Sequence, residues 1–335
     1  MPTWLKLGLG FGTTILFLWL LLAGVDSAAV VQAVSSLSFP IIIQALLYLG
    51  LGYLIRVTRW WWMLKHIEPK VRMSACFWPY ISSIAVNNVL PFRAGDALRV
   101  FGFRKQLHAP RASLFGTLIV EKILDVVVLI AIVGITVSAF EPLTLPAGFE
   151  TGFIWLSAIS LSMLLTLIVT TPKLGSAFEY LSTRSLVKRH GFSMGLQDIG
   201  SHLTATLNSI RTPKRLITML IFTVLVWLCE GAMFATVASS MANLAGVGPW
   251  LSMASGTLAT IIPSSPGHVG TFDYFTAQSL VFAGTSKTEA IGFALTVHIV
   301  LWLPITILGL SYLTIRGTQF WNLQPPKNPP SSSYE

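Results

Sequence analysis

Apolar residues fill this chain in long blocks, and polar residues are confined to short links between them and to a few positions inside them. The first block, Leu7 to Val25, runs 19 residues without a charge. It exceeds a signal-peptide core and approaches the ~20 residues that span a bilayer, so it predicts an uncleaved first span. Phe39 to Leu64 is apolar until Arg56 and Arg59 and ends in Trp60, Trp61 and Trp62. Arg111 to Phe140 carries Glu121, Lys122 and Asp125 inside it, and Thr151 to Thr171 has no charge. Leu216 to Ser240 holds one acid, Glu230, and Ala290 to Ile315 has only His298 as an ionisable group. These blocks predict six full spans.

Two segments break the pattern. Ser74 to Pro91 is apolar but short, and Phe92 to Pro110 behind it is too polar to cross. Trp250 to Ala283 is apolar but cut near its middle by Pro263, Pro266, Gly267 and Gly270. Each predicts a re-entrant hairpin of two half-helices. Broken backbone at membrane depth survives only when buried in protein or lining a wet cavity, and such breaks are where transporters bind substrate.

Composition agrees with the pattern. Of 335 residues, 53% are hydrophobic and 10% charged, where a soluble domain has about 25% charged. The formal charge of +9 does not point to nucleic acid, because of where the basic residues fall. With the N-terminus inside, the outer links 26–38, 141–150 and 241–289 hold one basic residue, Lys287. The inner links 56–111 and 172–215, with the tail from Arg316, hold nineteen. That asymmetry obeys the positive-inside rule. Cys76 and Cys229 are far apart in apolar segments, which fits inert buried thiols rather than a disulfide or a metal site.

The two hairpins sit in similar surroundings. A span (39–64), a hairpin broken at Pro91 and a span (111–140) are followed by a span (216–240), a hairpin broken at Pro263 and a span (290–315). Pro91 and Pro263 are 172 positions apart, and the same offset carries Asp125 to Val297, beside His298. The extra span 151–171 flips the second half, so the layout predicts an inverted repeat. The expectation is one all-α transmembrane domain over 1–320, with half one at about 39–140 and half two at about 214–316. A cytoplasmic amphipathic segment is expected near 176–210, from the helical spacing of Leu196, Ile199, Leu203, Leu207 and Ile210. It could lie on the membrane or on the protein's own inner face. The Pro- and Ser-rich tail, 321–335, reads as disordered.

Candidate chemistry gathers at the breaks. Asn87, Asn88, Pro91, Arg93, Gly95, Asp96 and Arg99 form the densest polar cluster. Arg93 and Arg99 near a helix start suit phosphate, and the alternative is an ordinary cytoplasmic loop touching headgroups. Glu121 and Asp125 share a helix face near mid-bilayer. They could pair with Arg93 or Arg99, take up protons, or form a structural pair with Lys122; Glu230 has the same readings. In the second hairpin Pro266, Gly267, His268, Gly270 and Asp273 could free backbone amides for an anionic headgroup. His268 and His298 could titrate or be satisfied polar residues. Gly8 and Gly12 suit a packing contact in the first span. Phosphate-loop, His-Glu-x-x-His and serine-elbow patterns are absent, and Ser185 to Lys188 lacks the companions its motif needs.

Three ordered motifs carry a resemblance over nearly the whole chain. Asn-x-x-x-Pro-x-Arg-x-Gly-Asp-x-x-Arg (Asn87 to Arg99), Glu121-Lys122-x-x-Asp125, and Pro263-x-x-Pro-Gly-x-x-Gly-x-x-Asp273 resemble the flippase-like membrane domain of the lysylphosphatidylglycerol synthase family. The resemblance implies a domain that translocates modified phospholipid, with relatives associated with hopanoids and polyprenyl-linked glycans. His268 and Asp273 stand where that family has a Gly and a Glu. The bifunctional members' soluble aminoacyl-transferase domain is not expected here, so the transferase activity is not carried over. The sequence therefore reads as a non-enzymatic lipid flippase of a bacterial inner membrane, with both termini cytoplasmic. Its partner would be a phosphate-bearing membrane lipid, with no cofactor, metal or nucleic acid, and a homo-oligomer is compatible with it. Asn87, Asn88, Arg93, Asp96, Arg99 and the second-hairpin residues would bind substrate, while Glu121, Asp125, Glu230 and His298 would gate or couple to protons. A lipid headgroup transferase and an accessory subunit of an envelope-lipid system are the rival expectations.

Overall fold

A computed structural model describes residues 3–23, 38–91, 93–139, 212–241, 246–262 and 264–321, with four single positions (155, 158, 162 and 244). The described residues form helices α1 (Thr3–Leu22), α2 (Phe39–Lys65), α3 (Met73–Val89), α4 (Ala94–Phe101), α5 (Arg104–Leu107) and α6 (Arg111–Ser138). They continue with α7 (Pro213–Ala238), α8 (Gly248–Ala259), α9 (Thr271–Phe282) and α10 (Lys287–Trp321). The span expected at 151–171 and the amphipathic segment at 176–210 lie outside the described residues, as do Pro263 and the tail beyond 321.

Prolines start several helices where a missing N–H costs nothing: Pro40 in α2, Pro213 in α7 and Pro249 in α8. Among the described residues, α2, α7 and Lys287–Arg316 of α10 are long and apolar enough to cross a membrane. Each presents an exposed apolar stripe at helical spacing. On α2 it runs Phe39, Ile43, Leu47, Leu51, Leu54; on α7, Ile217, Ile221, Val224, Leu228; on α10, Ile299, Leu303, Ile307. The opposite faces bury Ala45, Leu49 and Gly52, or Met219, Thr223 and Val226. Large contiguous apolar surface is avoided in water and favoured in lipid. α6, at 28 residues, is about 42 Å long and comparable to the spans, with Glu121 and Asp125 turned into the protein.

The hairpins differ in sharpness. α3 ends at Val89, and the chain turns through Arg93, whose φ of 53° is left-handed, into the eight-residue α4. A Cβ on Gly95 would lie 1.8 Å from the Ser83 carbonyl oxygen, so only glycine lets α4 fold back this closely on α3. In the second hairpin α8 and α9 are joined by a single 3-10 turn, Pro266–His268, with Gly267 and His268 both at positive φ.

The packing exchanges partners between the two halves. α2 packs along α7, α3 packs against α10, and α8 packs against α6. Each hairpin's first helix therefore leans on the last helix of the other half. Gly52 faces Cys229 while Arg59, further along α2, reaches Thr223, so α2 and α7 run antiparallel.

Candidate functional site

Two buried polar assemblies emerge among the described residues, and one of them lines a cavity. The first joins α2, α3, α4, α6 and α7. Arg59, fully buried, donates from Nη1 to Asp125 Oδ1 at 2.7 Å and to Thr223 Oγ1 at 2.7 Å. Its Nη2 lies 3.7 Å from Glu121 Oε1. Arg99 Nη1 donates to Glu121 Oε2 at 3.3 Å, and the Tyr80 hydroxyl donates to Glu121 Oε1 at 2.8 Å. The Arg99 guanidinium also packs 5.0 Å from the Trp60 ring and 4.9 Å from the Tyr80 ring. Two cations and two anions thus cancel within an apolar shell, which is the condition under which charges survive burial.

This assembly settles several open expectations. Arg99 is the base that meets Glu121. It sits in the last turn of α4, 1% exposed, rather than at a helix start facing phosphate. Asp125 pairs across helices with Arg59, not with Lys122 on its own helix. Arg56 and Arg59, counted above among the cytoplasmic bases, lie inside α2 and point inward. Without those two and Arg99, the inner links still hold far more basic residues than the outer ones.

The second assembly surrounds a cavity of about 190 Å³, well above the ~10–15 Å³ that admits one water. Helices α2, α3, α7 and α10 and the second hairpin contribute. α2 gives Tyr53 and Arg56, α3 gives Ile84 and Asn88, and α7 gives Trp227 and Glu230. The second hairpin gives Thr257, Thr260, Gly267, His268 and Phe272, and α10 gives His298, Leu301 and Trp302. Arg56 and Glu230 form an ion pair across α2 and α7. The Arg56 guanidinium lies 4.7 Å from the Trp227 ring and 5.7 Å from the Tyr53 ring. Opposite them, both His298 ring nitrogens meet oxygens: Asp273 Oδ1 at 2.6 Å and the Gly267 carbonyl at 3.1 Å. His268 Nδ1 lies 3.2 Å from Ser264 Oγ.

The hairpin tips touch here. Arg93 donates to the Thr260 carbonyl at 3.2 Å, joining the first tip to the second. Asn88 Nδ2 donates to Thr306 Oγ1 at 2.8 Å, and Trp302 Nε1 donates to the Asn88 carbonyl at 3.2 Å. A Cβ on Gly267 would lie 2.7 Å from Trp302 Nε1, so the glycine is required by the approach of α10.

The remaining expected residues have structural partners. Asn87 Oδ1 accepts the Gly95 and Asp96 amides at 2.8 and 3.1 Å, and its Nδ2 donates to Asp96 Oδ1 at 3.0 Å. It ties α3 to the start of α4 and is not among the residues lining the cavity. Three of the second hairpin's amides are also occupied. Asp273 Oδ2 accepts the Gly270 amide at 2.9 Å, Thr14 Oγ1 accepts that of Ser265 at 3.0 Å, and the Ser265 carbonyl accepts that of His268 at 3.0 Å. An anion nest at this turn, expected from its prolines and glycines, is therefore not offered by these amides. Pro266 opens the 3-10 turn and Gly270 caps α9 against α1, where an added Cβ would lie 2.8 Å from the Thr14 carbonyl. Among the described residues no group of three or more His, Cys, Asp or Glu could hold a metal.

Arg56, Arg59, Tyr53, Tyr80 and Trp302 were not singled out from the sequence. The available signal was the pair of arginines three apart inside an otherwise apolar run, which is costly unless both face partners. A family model described as the lysylphosphatidylglycerol synthase TM region matches residues 4–309. No curated protein matches the chain.

Proposed function

The chain belongs to the lysylphosphatidylglycerol synthase transmembrane-region family, and from that premise we propose that it moves a phospholipid or similar amphipathic lipid across the membrane it inhabits. The observation that carries this reading is the cavity walled by both hairpin tips and by helices of both halves. A partly open chamber of mixed polar and apolar lining beside lipid-facing helices suits a headgroup whose acyl chains stay in the bilayer.

The exchange of packing partners supports an inverted repeat. The Arg56–Glu230 pair joins residues 174 apart, the same interval that separates Phe39 and Pro213, the first residues of α2 and α7. The Asp96 and Asp273 side chains each fall in the first turn of the returning hairpin helix. In this reading the hairpins are re-entrant, the halves run oppositely across a bacterial inner membrane with both termini inside, and rocking about the α2–α7 crossing alternates access. The acids Glu121, Asp125, Asp273 and Glu230 all have basic partners, which favours a transport path over acid–base turnover.

The test is transport of acyl-chain-labelled phospholipids in proteoliposomes, read by leaflet-selective quenching. Wild type is compared with Thr257→Trp, which fills the cavity without touching a charge. Movement above empty liposomes that falls at least about tenfold in Thr257→Trp supports the reading; an order of magnitude corresponds to ~1.4 kcal/mol on the barrier. No movement of any lipid in a panel spanning phospholipids and lipid-linked sugars would overturn it.

A further inference from the structure

We propose that Arg56 and Glu230 are the headgroup-selecting pair of the cavity, opened by a lipid that presents a phosphate and an ammonium group together; this rests on the translocation reading above. The pair is distinguished by where it sits. Arg56 and Glu230 both line the cavity, and none of Arg59, Arg99, Glu121 and Asp125 does. The side chains of the pair are 14% and 13% exposed, against 0–2% for Arg59, Arg99 and Glu121 and 11% for Asp125.

Charge arithmetic within the cavity decides which headgroup can enter. The pair is neutral as a unit. A purely anionic headgroup that captures Arg56 strips Glu230 of its partner in a medium where a lone charge is costly. A purely cationic headgroup does the reverse to Arg56. A zwitterionic headgroup gives the guanidinium a phosphate and the carboxylate an ammonium, so one internal ion pair is exchanged for two intermolecular ones. Phosphate suits the planar guanidinium. The ammonium has aromatic neighbours as well as Glu230, because Trp227 and Tyr53 already flank the cation there.

Position supplies the coupling. Arg56 and Glu230 face each other across the crossing of the antiparallel α2 and α7, so the bond ties the halves together where these helices meet. Rocking of one half against the other passes through it, and a ligand that parts the two side chains frees that motion. Substrate recognition and release of the halves become one event.

The experiment titrates detergent-purified protein with dihexanoyl phosphatidylethanolamine and dihexanoyl phosphatidylglycerol by calorimetry. The ethanolamine lipid should bind at least about tenfold tighter, the scale of one well-placed charged contact. Glu230→Gln is nearly isosteric and can still accept from Arg56, and it should bring the two affinities to within about twofold. Arg56→Gln should weaken both lipids about tenfold or more. The exchanged pair Arg56→Glu with Glu230→Arg should recover the ethanolamine preference, because the cavity again holds one cation beside one anion. A purely structural pair would change stability and leave the ratio alone. Equal affinities in wild type, or an unchanged ratio in Glu230→Gln or, should that protein not fold, in Glu230→Ala, would overturn the proposal. Transport of the same headgroups on labelled acyl chains separates the two claims. Movement without preference sinks the selection and leaves translocation standing, whereas preferential binding with no movement supports the selection and sinks translocation.

Discussion

Replacing Glu121 by Gln should destabilise the protein strongly, and removing Arg99 as well should give much of that stability back. Glu121 answers two arginines at once, Arg99 at 3.3 Å and Arg59 at 3.7 Å, with the Tyr80 hydroxyl at 2.8 Å. All four groups are at most 2% exposed. In Glu121→Gln two buried cations face one anion, Asp125. Breaking a buried pair from one side costs about 3–5 kcal/mol. The amide oxygen can still accept from Tyr80, which places the expected loss near the lower bound, about 3 kcal/mol. At roughly 2–4 °C per kcal/mol the melting temperature should fall by about 6–12 °C.

Arg99→Gln with Glu121→Gln restores neutrality, leaving Arg59 with Asp125. The double variant loses the packing of the guanidinium on Trp60 and Tyr80, about 1–2 kcal/mol, and should still melt above Glu121→Gln. A double-mutant cycle in detergent, followed by thermal aggregation and circular dichroism, should return a coupling of about 3 kcal/mol. A single variant melting within about 2 °C of wild type would refute the reasoning, as would additive losses; both would mean that water reaches the pair. The double variant should also keep more than half of wild-type lipid transport, because neither residue lines the described cavity.

Three further outcomes follow from the hairpins. Asn87→Ala removes an acceptor for two amides and a donor to Asp96, and should cost about 2 kcal/mol by thermal melting, with Asn87→Asp no better because it faces Asp96. Gly95→Ala puts a Cβ 1.8 Å from a backbone oxygen that cannot step aside, so folded yield should drop sharply by size-exclusion chromatography. Asp273→Asn weakens the partner of His298 and the cap of Gly270 and should cost about 1–3 kcal/mol, read as a lower melting temperature, while Asp273→Glu should recover less than half because the first-turn geometry fits the shorter acid.

Much of the fold was legible because the bilayer restricts the menu. Apolar length fixed α2, α7 and the body of α10, and proline and glycine fixed where α3 and α8 stop. The first break was located at Pro91, and the observed helix ends at Val89. What the pattern could not supply was direction. A motif such as Asn87 to Arg99 announces a tight polar turn. Whether its arginines face a ligand or another helix depends on residues far away in sequence, here Glu121 and Thr260. The glycine-rich second turn misled for a related reason. Its freed amides looked available, but Asp273 and Thr14, three and 251 residues distant, accept two of them.

Arg56 and Arg59 carry the deeper lesson about reading charge in a membrane protein. They close an apolar run, and the positive-inside rule treats arginine there as an anchor at the inner surface. The alternative was visible in their spacing. Residues three apart on a helix share a face, and that face continues through Gly52 and Leu49, both buried against the protein rather than exposed to lipid. An anchor belongs on the lipid-facing stripe, which on α2 runs through Leu47, Leu51 and Leu54. The arginines are on the other side, and each finds an acid well inside another apolar block, Glu230 for Arg56 and Asp125 for Arg59. Two acids and two arginines set singly into spans are costly one at a time and cancel in pairs. An interior base in such a chain is therefore evidence for an interior acid, and pairing them first, before assigning either to a loop, would have led from the sequence to the crossing of α2 and α7.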